Sequence, residues 1–142
     1  MTQDPEQLTA AVEPAGRFRL YVGAAAGVGK TVAMLDEGKR RAERGSDVVV
    51  GFVEAHGRPF TAAAAAGLEL VPRKKVAYHG SVFEEMDTAA VIERRPEVAL
   101  VDELAHTNVP EGGAHVKRWE DVFDLLAAGI SVISTVNVQH LE

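Results

Sequence analysis

Gly23-Ala24-Ala25-Ala26-Gly27-Val28-Gly29-Lys30-Thr31 is the stretch on which the fold turns. Glycines admit backbone dihedrals closed to other residues, so successive N–H groups can face a single anion. A helix starting at such a loop adds its unpaired first N–H groups and the positive end of its dipole. In that arrangement Lys30 reaches the β and γ phosphates of a nucleotide, and the Thr31 hydroxyl ligates Mg²⁺. Gly23, Ala26, Gly27, Val28 and Gly29 are the other expected contacts along the loop. The strict pattern is G-x-x-x-x-G-K-[ST]; here its first position is Ala24, with a glycine one place earlier at Gly23.

The flanks agree with this reading. Phe18-Arg19-Leu20-Tyr21-Val22 is a short apolar and aromatic run suited to a strand. Thr31 to Arg44 has helical periodicity and a basic last turn, and Gly45 is placed as its C-cap. Strand, glycine loop and helix thus follow in the order a phosphate-binding loop requires.

Further along, Asp47 to Val53 is almost continuously apolar, as a strand covered on both faces would be. Thr61 to Gly67 is an alanine-rich helical segment with Thr61 as its expected cap. Val76 to Tyr78 reads as a short strand, and Asp87 opens a helix through Arg95 that Pro96 ends. Val98 to Val101 is the third buried strand. From Val116 to Ala128, Trp119, Val122, Phe123, Leu125 and Leu126 recur at helical spacing before Gly129, and Ile130 to Val136 makes the fourth buried strand. Alternating strands and helices predict an α/β domain, a P-loop NTPase-like three-layer sandwich with a mainly parallel sheet.

The chain has 142 residues, no cysteine and a formal net charge of −6. One domain with a real core fits that length. The acidic balance argues against wholesale binding to nucleic acid or anionic membranes, so any anion site must be local. Without cysteine there are no disulfides or thiolate metal sites, and no apolar stretch approaches the roughly 20 residues that span a bilayer. Residues 1–16, acidic and with Pro5 and Pro14, are expected to be a disordered leader, and 17–142 a single nucleotide-binding domain in a cytoplasmic protein. The chain stops just after its fourth buried strand, where nucleotide-binding sheets often continue, which suggests a piece of something longer.

A phosphate loop needs an acidic partner, because Mg²⁺ prefers hard oxygen ligands. Asp102, at the carboxyl end of the third buried strand, is the candidate to hold Mg²⁺ with Thr31. Glu103 follows it and is the candidate to polarise a water near the γ phosphate. Glu54, His56 and Arg58 follow the second strand and His106 the third, as candidate γ-phosphate or switch contacts. No His-x-x-x-His helix or similar ligand spacing occurs, so no metal other than Mg²⁺ is expected. Arg73-Lys74-Lys75 reads as a solvated turn.

Together these motifs resemble the N-terminal domain of the KdpD family of potassium-responsive sensor histidine kinases. The resemblance is carried by Gly23 to Leu35, Val53-Glu54-Ala55-His56-Gly57-Arg58, Val101 to Asn108, Lys117-Arg118-Trp119 and Thr135 to Glu142. It extends to the alanine at the first loop position. It implies a cytoplasmic ATP-binding domain whose occupancy tunes the kinase and phosphatase activities of a membrane-bound receptor. That receptor acts on a response regulator and controls potassium uptake. Its phosphoacceptor region and kinase core have no counterpart among these residues, so autokinase activity is not expected here. Two other readings stand beside it. One is a free-standing P-loop NTPase or small-molecule kinase using Glu103 and His106. The other is a protein-docking domain using Trp119 and Phe123, although core packing explains their spacing more simply.

Overall fold

The computed structural model describes residues 16–23, 28–54 and 59–138. Residues 1–15 of the expected leader 1–16, loop residues Ala26 and Gly27, and His56 and Arg58 lie outside the described residues, while Gly16 is ordered, its N–H on the Leu126 carbonyl at 2.9 Å.

Strand β1 (Phe18–Gly23) leads to helix α1 (Val28–Glu43), and β2 (Val48–Phe52) to α2 (Pro59–Ala65). The short β3 (Glu69–Leu70) and a hairpin, β4 (Lys74–Tyr78) and β5 (Ser81–Glu85), come next. They are followed by α3 (Thr88–Arg94), β6 (Val98–Val101), α4 (Arg118–Ala127) and β7 (Ser131–Asn137). The five-stranded sheet runs β1-β7-β6-β2-β3 with every pairing parallel. The expected α/β sandwich with a parallel sheet is therefore present.

Each face of the sheet is covered by its own helices. Met34 and Leu35 of α1 and Ala64 of α2 pack on Val48, Val50, Leu100 and Ile133. Val91 of α3 and Val122 and Leu125 of α4 pack on Val49, Ala99, Val101 and Val132. The alternation of Val48, Val49 and Val50 between these cores is the period of two of a strand buried on both faces. Each such side chain contributes about 1.5–3 kcal/mol by leaving water. Gly38 lets α1 approach closely, since a Cβ there would lie 2.5 Å from Leu100 Cδ1. The β2–β6 register shifts between Val50 and Phe52. This bulge turns Phe52 to the α3/α4 side, beneath the polar cluster described below.

Helix ends follow local chemistry. After α1, Gly45 has φ +99°, its N–H bonds the Ala42 carbonyl, and the Ser46 N–H bonds that of Arg41, a Schellman cap. Gly129 ends α4 in the same way, with its N–H on the Leu126 carbonyl and that of Ile130 on Leu125. The Asp87 side chain accepts from the Ala90 N–H and caps α3.

Four expectations need correction. Thr61 does not cap α2: the helix opens two residues earlier at Pro59, whose fixed φ suits a first helical position, and Thr61 is buried in that first turn. Arg73-Lys74-Lys75 is not a solvated turn, because Lys74 and Lys75 lie in β4 and Arg73 stacks over Phe52 at 4.3 Å. The hairpin is fuller than the single strand expected. His79 and Gly80, both with positive φ, form the two-residue turn its twist requires. Finally, Trp119 and Phe123 are not core residues: they are 44% and 61% exposed and pack edge to face on each other. Only Val122 and Leu125 of that helix's apolar set are fully covered by the sheet.

Candidate functional site

The strand order places β7 between β1, which feeds the glycine loop, and β6, which ends in Asp102. All three strands run parallel, so their carboxyl ends share one edge, where ligands of open α/β sheets collect. Asp102 is buried there. Its carboxylate accepts from Thr31 Oγ1, 3.1 Å from each oxygen, and from Thr135 Oγ1 at 2.5 Å. The Glu54 N–H lies 3.4 Å from Oδ2. Thr31, in the first turns of α1, is thus brought across 71 residues of sequence onto the acid expected to partner it.

Lys30 is folded back over the end of β1, since a Cβ on Gly23 would lie 2.8 Å from Lys30 Cδ and 3.1 Å from its Nζ. A side chain at this position would displace the flexible end of Lys30. Beside it in register is Asn137, the last residue of β7, whose side-chain oxygen is buried and without a hydrogen-bond partner among the described residues.

Glu103 has left-handed backbone (φ +54°) and an exposed side chain, and its N–H donates to Thr135 Oγ1 at 3.0 Å. His106 is directed elsewhere: Nε2 lies 2.9 Å from Glu85 Oε1, and the ring stacks near Phe52. The Glu54 carboxylate is 4.0 Å from the Arg73 guanidinium, which also donates to the Val53 carbonyl.

The geometry adds a polar network that sequence reasoning missed. Arg118, the first residue of α4, is wholly buried. It donates from Nη1 to the Asp102 carbonyl at 3.0 Å and from Nη2 to Glu85 Oε1 at 3.2 Å, and its guanidinium lies 3.9 Å from the Phe52 ring centre. Glu85 also accepts from the Val109 N–H at 2.7 Å. The loop after β6 and the hairpin are therefore tied to one cation behind Asp102. Burial alone would raise the Glu85 pKa, but His106, the Val109 N–H and Arg118 outweigh it and hold the carboxyl below its ordinary value. Burial also lowers the Arg118 pKa against the pull of Glu85, Glu103 and Asp102. Thr135 and Glu85 had one legible sign each, a hydroxyl and an acid on otherwise half-apolar strands. Neither pattern says which partner it will meet.

Because its folded pKa is lowered, ionised Glu85 contributes stability above its ordinary value near 4.5, and that contribution is lost as pH falls through the folded value. Glu85→Gln is expected to lose about 1–3 kcal/mol at neutral pH, the cost of leaving buried donors poorly paired. Its stability should then fall less steeply than wild type on acidification. Urea unfolding from pH 7 to 3 checks this; parallel curves for the two proteins would contradict it.

Fold and site define a three-layer α/β domain with a buried hydroxyl–carboxylate cluster at the carboxyl edge of a parallel sheet. A family model, the KdpD osmosensitive K⁺ channel His kinase sensor domain, matches residues 14–142, and the chain belongs to that family. It is 58% identical over 127 residues to a sensor protein KdpD of Mycobacterium tuberculosis (strain H37Rv), covering 89% of this chain and 15% of that protein. It is 51% identical over 141 residues to sensor protein KdpD of Escherichia coli (strain K12), covering 98% and 16%. A putative sensor protein KdpD of Synechocystis is 51% identical over 138 residues, covering 95% and 37%. The chain thus spans only a minor part of these relatives. Among the described residues no helix is long and apolar enough to cross a membrane.

Proposed function

We propose that this chain is the ATP-binding regulatory domain of a KdpD-type sensor histidine kinase. ATP and Mg²⁺ bind at the carboxyl edge of the sheet, and occupancy biases the kinase and phosphatase activities of the longer, membrane-bound receptor. The domain works on the cytoplasmic side, and the receptor acts through a response regulator on potassium uptake.

The observation that carries this reading is the buried contact between Thr31 and Asp102. A hydroxyl and a carboxylate are hard oxygen donors, the set Mg²⁺ takes when it keeps several waters. The residues present therefore fit the ion: Thr31 and Asp102 would hold it, and it would neutralise charge between the β and γ phosphates. Lys30, lying over Gly23, supplies a cation on a four-carbon stem for those phosphates. Thr135 orients the Asp102 carboxylate through its 2.5 Å hydrogen bond. The exposed Glu103 carboxylate is the proposed group for any slow hydrolysis.

ATP titration with and without Mg²⁺ tests the assignment. Wild type should bind ATP more tightly with the ion, and Asp102→Asn should lose most of that gain, about tenfold for a contact worth roughly 1.4 kcal/mol. Identical Mg²⁺ dependence in a folded D102N protein would remove Asp102 from the ion site.

A further inference from the structure

We propose that His115, Asp121 and Asp124 form a second cation site, for a divalent transition metal of the zinc class. One ligand atom from each lies within 4.8 Å of the others, and the set shares no residue with the Asp102 cluster. Asp121 and Asp124 are three apart on α4 and so lie on one face of the helix, while His115 comes from the loop just before it. This loop-and-helix origin is why no helical histidine pair announces the site in the sequence.

The surroundings are arranged as a metal site requires. Asn108 donates from its side chain to both the His115 carbonyl at 3.1 Å and Asp121 Oδ2 at 2.7 Å, and its backbone N–H bonds the Val116 carbonyl. It therefore fixes two of the three ligands relative to each other. His115 Nδ1 faces Glu120, 3.6 Å away, leaving Nε2 beside Asp124 Oδ2 at 2.7 Å. At 3.6 Å the Glu120 carboxylate is near enough for a charge contact, not a hydrogen bond, with the non-ligating ring nitrogen. The cation would replace the proton held between Nε2 and Asp124.

The three residues border a cavity of about 300 Å³ between the hairpin, α3 and α4. It leaves room for a water or a small anionic ligand to complete the coordination, with Lys74 on its wall. One imidazole and two carboxylates balance a dication in charge. The nitrogen donor favours Zn²⁺ or Co²⁺ over Mg²⁺, which prefers oxygen alone.

The test is Zn²⁺ titration by calorimetry of the untagged 142-residue chain, stripped of metal and nucleotide. One Zn²⁺ per chain should bind, undisturbed by excess Mg²⁺ and unchanged in Lys30→Ala. His115→Gln and Asp124→Asn should each weaken it at least roughly 10–100-fold, the loss seen even for outer-shell partners. Co²⁺ should give visible absorption bands and alter the fluorescence of Trp119, the sole tryptophan. Asp124 is exposed, so D124N is expected to fold even if H115Q does not, and circular dichroism checks both. No stoichiometric uptake, or uptake undiminished in the folded variants, would overturn the site.

Discussion

Arg118→Ala is expected to destabilise the domain by about 3–5 kcal/mol, the cost of removing one partner from a buried ion pair. Arg118 is wholly buried, and its loss strands the Glu85 carboxylate, 3% exposed, without its cation. It also frees the Asp102 carbonyl and opens a cavity against Phe52. Lysine is not a substitute, because only a planar fork reaches the Asp102 carbonyl and Glu85 together while stacking on a ring. Urea unfolding of wild type, Arg118→Ala, Glu85→Gln and the double variant decides the matter. The double variant should lose clearly less than the sum of the two single losses, since either change alone breaks the same pair. A loss within 1 kcal/mol for Arg118→Ala would show that the network carries little of the fold.

Lys30→Ala is expected to weaken ATP binding about 10- to 150-fold, from the roughly 1.5–3 kcal/mol of a charged hydrogen bond. Thermal stability without nucleotide should change little, because Lys30 is only half-buried and contributes nothing to the two hydrophobic cores. Calorimetric ATP titration measures the first and unfolding without ligand the second. A folded K30A protein that binds ATP as tightly as wild type would sink the nucleotide assignment itself. It would leave the KdpD family membership and the cation site at His115 untouched, since neither rests on Lys30.

The candidate site was outlined from residue order alone. The order of strand, glycine loop and helix named Lys30 and Thr31, and an apolar strand ending in an acid named Asp102. The structure then brought Thr31 and Asp102 into contact. His106 was readable only as a polar residue at the right edge. Its direction was settled by Glu85, an acid on a strand with no counterpart in the sequence reading. Trp119 and Phe123 show the opposite failure. Helical spacing says that residues share a face, but not how wide a face the sheet will cover, and here coverage stops at Val122 and Leu125.

By itself the sequence determined what is encoded over a few residues. It set the α/β alternation through the two periods of its apolar residues, and the helix ends at Gly45 and Gly129 through their left-handed backbone. Tertiary structure alone decided the strand order, which inserts β7 between β1 and β6 and so brings Thr135 onto Asp102 across 33 residues. It also decided that Arg118 would be buried beneath that acid and that Asn108 would join His115 to Asp121. The physical reason is range. Dihedral preference and amphipathic period act between neighbours, whereas burial and hydrogen-bond satisfaction select among distant partners only once both sheet faces are covered.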